Sequence, residues 1–261
     1  MTVKLLLETF RADKVEKYVR DHLARVCADA QRRGRRGVVV FDIDGTMVRE
    51  DRPEATPIIA MRNIYKAALR HGCALYIVTA RPNMRRAATT VMGASVSNLE
   101  LTRRELAKAG YDASQFRQIH MLPSNASSDE NYSRYKAERR SDSALDAGEP
   151  LVLNVGDQFA DLMLLPPFRK TMPTVVLKNG TRARIVDLNP RKYFVLSVQD
   201  AATPGGGAVI SVKLPDRLTE LPPSSSTTVS TAANVNASSS SSSNGTGAQY
   251  RASAQRVQRK K

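Results

Sequence analysis

Apolar positions along the chain follow two different spacings. From 13 to 33 they recur every three or four residues, at Val15, Val19, Leu23, Val26 and Cys27, the stripe of an amphipathic helix that packs on a core by one face. Val38-Val39-Val40-Phe41 is instead a continuous, β-branched apolar run, as expected of a parallel strand buried on both sides. The two spacings then take turns. Helical periodicity covers 58–70, 83–92 and 99–109, and 137–149 reads as a helix fading into a connection; apolar runs at 74–78, 118–122, 151–155 and 174–177 read as strands. Polar stretches at 49–57 and 124–133 read as loops. Strands alternating with helices predict an α/β fold, a Rossmann-like three-layer arrangement around a parallel sheet.

The pattern changes after 178. Lys178-Asn179-Gly180-Thr181 reads as a hairpin turn between 175–177 and 183–186, and 193–198 and 208–212 read as further strands, separated by the flexible Pro204-Gly205-Gly206-Gly207. From about 215 the chain becomes rich in Pro, Ser, Thr and Ala, with an unbroken serine run at 238–243. Such a segment cannot bury enough apolar surface to offset its ordering entropy and is expected to be disordered. The expected division is an N-terminal helical segment (1–34), a core (35–178), a small β-rich extension (179–214) and a Ser-rich basic tail (215–261).

The chemistry sits at the strand ends. Val38-Val39-Val40-Phe41 runs into Asp42-Ile43-Asp44-Gly45-Thr46, where Gly45 permits a tight turn that aims two carboxylates into the crevice beyond the strand. Two carboxylates there can hold Mg²⁺ and divide nucleophilic and acid/base work; turn formation or helix capping is the plainer use of the same residues. The next strand, Ala74-Leu75-Tyr76-Ile77-Val78, ends at Thr79-Ala80-Arg81. Lys136 lies in Tyr135-Lys136-Ala137-Glu138, and Leu151-Val152-Leu153-Asn154-Val155 ends at Gly156-Asp157, with Asp161 four residues on. A phosphate monoester is a dianion and must be neutralised before a carboxylate can attack it. Asp42 and Asp157 offer hard oxygen ligands to a metal that would do so, Thr79 a hydroxyl and an amide for phosphate oxygens, and Lys136 a cation for the transition state.

In its order of D-x-D-G-T, strand-end Thr, Lys and G-D-x-x-x-D, the chain resembles the haloacid dehalogenase-like (HAD) hydrolases, and over about 36–178 it looks most like their acid phosphatase branch. The resemblance implies that Asp42 forms an aspartyl-phosphate and that Asp44 protonates the leaving oxygen, then deprotonates water. It also implies Mg²⁺ held by Asp42, Asp157 and the backbone carbonyl of Asp44, with Asp161 orienting the metal site or Lys136. Taken alone, Thr79 reads better as a helix cap and Asp161 as readily as an acidic residue favoured by a helix dipole, while Arg81 reads as a surface residue, with contact to substrate or phosphate as its other use. The choice of Lys136 over Arg134, Arg139 and Arg140 follows the family's spacing. The 37 residues between Asp42 and Thr79, and the 57 between Thr79 and Lys136, are filled by the elements already named, so the cap is minimal or absent.

Composition adds less. The formal net charge is +15, and from Arg217 onward six basic residues face the single acid Glu220. The basic tail suits a nucleic acid or an acidic partner, whereas the cluster Arg32, Arg33, Arg35 and Arg36 is as well explained by the dipole of the preceding helix; a non-catalytic or weakly catalytic HAD-fold protein binding through the basic surface and tail is the alternative to an efficient enzyme. Intact motifs favour the enzyme, acting on a small molecule, a nucleotide, a nucleic-acid end or a phosphoprotein. Cys27 and Cys73 are the only cysteines and are expected as thiols; His22, His71 and His120 lack metal-ligand spacing. The apolar run near the start is too short for a signal peptide and nothing suggests a membrane span, so an intracellular location is expected.

Overall fold

The computed structural model describes residues 2–50, 54–83, 96–123, 129–162, 174–199 and 209–215. Among these residues nine strands, β1 (Thr2–Thr9), β2 (Val38–Phe41), β3 (Ala74–Pro82), β4 (Phe116–Leu122), β5 (Leu151–Gly156), β6 (Thr174–Val176), β7 (Arg182–Arg184), β8 (Tyr193–Gln199) and β9 (Val209–Lys213), form one sheet in the order β4-β3-β2-β5-β9-β8-β1-β6-β7. The pairs from β4 across to β9 are parallel. Only β8, antiparallel to both neighbours, and the edge strand β7 run the other way. The fold is the expected α/β type with a large, mostly parallel central sheet.

Among the described residues, four helices cover this sheet: α1 (Ala12–Arg32), α2 (Ile59–Arg70), α3 (Asn98–Lys108) and α4 (Asp129–Ala147). On one face Val15, Val19 and Leu23 of α1, Met61 and Ile64 of α2 and Leu106 of α3 share a core with Val39, Phe41 and Ile77. On the other, Val38, Val40, Tyr76 and Val78 pack against Ala144 of α4. The alternation of β2 residues between these two cores is the two-residue period of a strand buried from both sides. No helix among the described residues is long and apolar enough to cross a membrane. Cys27 at the end of α1 and Cys73 before β3 are buried free thiols whose sulfurs lie 2.9 Å apart.

This topology fixes where a ligand can bind. From β2 the chain moves to β3 on one side, and it returns through α4 to β5 on the other. The carboxyl ends of β2 and β5 therefore flank a topological switch point, where loops diverge and leave a crevice. Phe41 pairs with both Ile77 and Val155, so the residues just beyond them meet at one level. Within the described residues, the connection from β2 to β3 holds one helix and a short loop, with no inserted domain.

Three elements depart from the sequence reading. Thr2–Thr9, placed in a helical N-terminal segment, is β1; its burial alternates at Val3 and Leu5, but an irregularity between Leu5 and Leu7 breaks the two-residue period that would have revealed it. The stretch 129–133, read as loop, is the first part of α4, whose buried face includes Lys136, Arg140 and Ser143 and so carries little apolar stripe. The strand read at 174–177 as the fifth of the core lies beyond β1, and β9 takes the place beside β5. The late strands therefore extend the central sheet. The helical pattern beyond Asn83, the glycine-rich connection and the basic tail fall outside the described residues.

Candidate active site

Asp42 follows β2 directly, its amide donating to the Val155 carbonyl at 2.9 Å, which ties the end of β2 to β5. Gly45 then turns the chain with φ +67°, and a Cβ there would lie 2.7 Å from Asp157 Oδ2. Glycine is needed twice over, for the left-handed backbone and for the close approach of the Asp157 carboxylate. At the end of β5 the chain doubles back: the Gln158 amide donates to Asp161 Oδ2 at 3.0 Å, and the Asp161 amide to the Gln158 carbonyl at 3.0 Å. This folds Asp161 under the strand end, against Gly156.

A side chain at Gly156 would overlap the Cβ and carboxyl carbon of Asp161. Gly156→Ala is therefore expected to displace the 157–161 turn, lower stability by about 2 kcal/mol or more and reduce turnover. Chemical denaturation and an aryl phosphatase assay measure both; parental values in both would show that the turn adapts without cost.

The opposing cations come from α4. Lys136 is fully buried, with its ammonium 2.7 Å from Asp161 Oδ1, 3.0 Å from Asp42 Oδ1 and 5.1 Å from the centre of the Tyr132 ring. One turn on, Arg140 is also fully buried and reaches the same Asp161 Oδ1 at 2.9 Å. Arg134 and Arg139 face outward, paired with Glu138 and Asp142. Of the four candidate cations, geometry selects Lys136. It adds Arg140, which the sequence reading had left among the discarded alternatives despite its position four residues along the same face.

Charge in this cluster is unbalanced. Burial, with repulsion from Asp161 and Asp157, pushes the Asp42 carboxyl up to about 8 against the opposing pull of Lys136. Burial and Asp161 raise Asp157 to about 6. Burial also opposes ionisation of Asp161, yet Lys136 and Arg140 outweigh it and hold that carboxyl below its ordinary range. Asp42 Oδ1 accepts no hydrogen bond of good geometry and meets Lys136 as an ion pair only. Asp42, Asp157 and Asp161 each bring a ligand atom within 4.8 Å of the others. Crowded carboxylate oxygens with surplus negative charge are the donor set of a hard divalent cation.

Asp44 and Thr79 are placed differently. The Asp44 carboxylate stands apart from that cluster, gripped by both arms of Arg81: Nε to Oδ2 at 2.8 Å and Nη2 to Oδ1 at 2.6 Å. Arg81 also donates to Glu105 at 2.5 Å and to Thr102 at 3.3 Å, both on α3. It is mostly buried, not the surface residue its sequence context suggested. Thr79 is fully buried, its hydroxyl accepting from the Arg81 amide at 3.3 Å. A cavity of about 990 Å³ opens over these groups, lined by Asp42, Asp44, Arg81, Tyr132 and Asp157 among others.

Acidic strand ends, a buried lysine and an open cavity are arranged as for phosphoryl transfer, and a family comparison agrees. The model of the HAD superfamily, subfamily IIIB (Acid phosphatase), matches residues 49–196. The chain belongs to this family. Membership in subfamily IIIB makes it a phosphoric monoester hydrolase. The acid phosphatase match spans Thr79, Arg81, Lys136, Arg140, Asp157 and Asp161 but begins after Asp42 and Asp44, which contact the matched region through Lys136 and Arg81 respectively. No curated protein matches the chain.

Proposed function

We propose that this acid phosphatase hydrolyses phosphate monoesters with Mg²⁺, through an aspartyl-phosphate on Asp42. The observation carrying the reading is that Asp42 and Asp157, which line one cavity, converge with the buried Asp161 and Lys136 beneath it. Asp42 and Asp157, with the Asp44 backbone carbonyl, would hold the cation. Bound there, Mg²⁺ supplies Lewis-acid polarisation of the phosphoryl oxygens and quenches the repulsion between dianion and carboxylates.

This chain's own residues do the rest. An Asp42 oxygen bonds to phosphorus as the ester oxygen leaves, and Asp44, entering the step protonated with one oxygen released from Arg81, gives that oxygen its proton. Water then attacks the acyl phosphate, Asp44 taking its proton, and inorganic phosphate departs with Asp42 regenerated. Arg81, anchored by Glu105 and Thr102, fixes the Asp44 carboxylate at the cavity mouth. Lys136 offsets charge on the transferring group, and Thr79 belongs to the strand end that approaches the phosphate oxygens. The substrate is a phosphorylated small molecule or a similar monoester.

Hydrolysis of an aryl phosphate is expected to fall by about 100-fold or more on treatment with EDTA, as several kcal/mol of lost charge stabilisation implies. Added Mg²⁺ should restore it. Turnover indifferent to chelation would overturn the metal-dependent mechanism.

A further inference from the structure

We propose that Arg140 is a positioning residue of the phosphate site: by sharing Asp161 with Lys136 it leaves the Lys136 ammonium available to Asp42 and the transferring phosphoryl group. The inference rests on the phosphatase reading above and concerns a residue outside the family motif.

Among the described residues, two buried cations, Lys136 and Arg140, form ion pairs with the buried carboxylates Asp42 and Asp161, and Asp157 completes the cluster; a third buried cation, Lys213, lies over the Phe159 ring. Lys136 and Arg140 both address one atom, Asp161 Oδ1, at 2.7 and 2.9 Å, while Oδ2 is taken by the Gln158 amide. The two therefore compete. A guanidinium on Oδ1 lowers the negative potential that Lys136 experiences there and shifts its balance toward Asp42, 3.0 Å away. Without Arg140, Lys136 would be the sole counter-charge of a buried carboxylate and would be held to it.

Arg140 is poorly explained as packing. Apart from Asp161, its contacts are long, 3.4 Å to Asn154 Oδ1 and 3.5 Å to the Val40 carbonyl, and its Nε has no hydrogen-bond partner. The neighbouring core of Val38, Val40, Tyr76 and Ala144 is apolar, and burying a guanidinium there is costly unless its charge is used. A bulky apolar residue would fill the same volume with less desolvation. Among the described residues, the one strong bond Arg140 makes is to the carboxylate that anchors Lys136.

The test is calorimetric titration of inorganic phosphate into the full-length, Mg²⁺-loaded protein, with kcat and KM for an aryl phosphate and melting temperature in parallel. Arg140→Gln is expected to weaken phosphate binding by about tenfold or more and Arg140→Lys to stay within about threefold of the parent, because the lysine keeps the charge. In an Asp161→Asn background the Arg140→Gln change should have little further effect on phosphate, since the shared carboxylate is gone. A folded Arg140→Gln protein with parental phosphate affinity, or an undiminished effect in the Asp161→Asn background, overturns the proposal. Should Arg140→Gln not fold, Arg140→Lys decides: parental melting with phosphate affinity lowered more than about tenfold also overturns it. Asp42→Asn separates this inference from the reading beneath it. Parental turnover in that variant defeats the phosphatase mechanism itself, whereas an inactive Asp42→Asn with additive Arg140 effects defeats only the role of Arg140.

Discussion

Asp42→Asn is expected to lower kcat for an aryl phosphate by about 10³-fold or more while leaving the fold intact. The amide has nearly the shape of the carboxylate but cannot serve as the anionic nucleophile, so the covalent route closes and only binding and electrostatic assistance remain. Stability should move the other way in the metal-free protein. Burial and neighbouring carboxylates hold the Asp42 carboxyl at about 8 in the folded chain, far above the value of about 3.9 for an exposed aspartate. A folded-state value raised in this way means that stability is lost as pH rises from about 4 through about 8, because the folded chain retains a proton that the unfolded chain has released. A neutral asparagine has no such loss. At neutral pH the EDTA-treated variant should therefore melt above the EDTA-treated parent, and Mg²⁺ should stabilise it less. Undiminished turnover in a folded variant would remove Asp42 from the chemistry; unchanged melting in EDTA would show that its charge carries no penalty in the fold.

The residues around Asp42 differ in how far the sequence reveals them. Strand ends in a parallel sheet are legible because an apolar run stops abruptly at a polar residue, as at Phe41-Asp42, Val78-Thr79 and Val155-Gly156-Asp157. Gly45 and Gly156 are legible for a related reason: each stands where a carboxylate must press against the backbone. Strand order is not local information. That β9 lies beside β5, while β6 falls beyond β1, depends on long crossovers whose direction no hydrophobic period encodes. β1 was hidden by its irregular register and the start of α4 by a buried face that includes charged residues. Arg81 and Arg140 share one cause. Arginine reads as solvent-facing unless its carboxylate partner is known, and here the partners, Asp44 and Asp161, lie 37 and 21 residues away.

That same dependence on distant partners makes Lys136→Met the most destabilising of the substitutions considered. Methionine keeps an unbranched chain of similar length against Tyr132, so packing is largely retained and the change isolates the charge. Asp161 would keep Arg140, but the Asp42 carboxylate would lose the ammonium 3.0 Å from Oδ1, the one cation in direct contact with it among the described residues. Above about pH 8, where the folded parent ionises Asp42, removing one partner of a buried ion pair leaves an uncompensated charge, with a cost of about 3–5 kcal/mol. That is a large share of the roughly 5–15 kcal/mol by which a domain is stable. Urea denaturation in EDTA at about pH 9, above the folded-state value of Asp42, should show a lower midpoint with unchanged slope, the mark of lost stability without altered compactness. Mg²⁺ should recover more stability in Lys136→Met than in the parent, because a cation shared by Asp42 and Asp157 replaces the charge that was removed. Turnover should still fall by about 100-fold or more with Mg²⁺ saturating, since the metal cannot stand where the ammonium met the transferring phosphoryl group. Parental stability in EDTA at that pH would mean that buried Asp42 stays protonated even there and needs no lysine. Parental turnover in Mg²⁺ would confine Lys136 to folding.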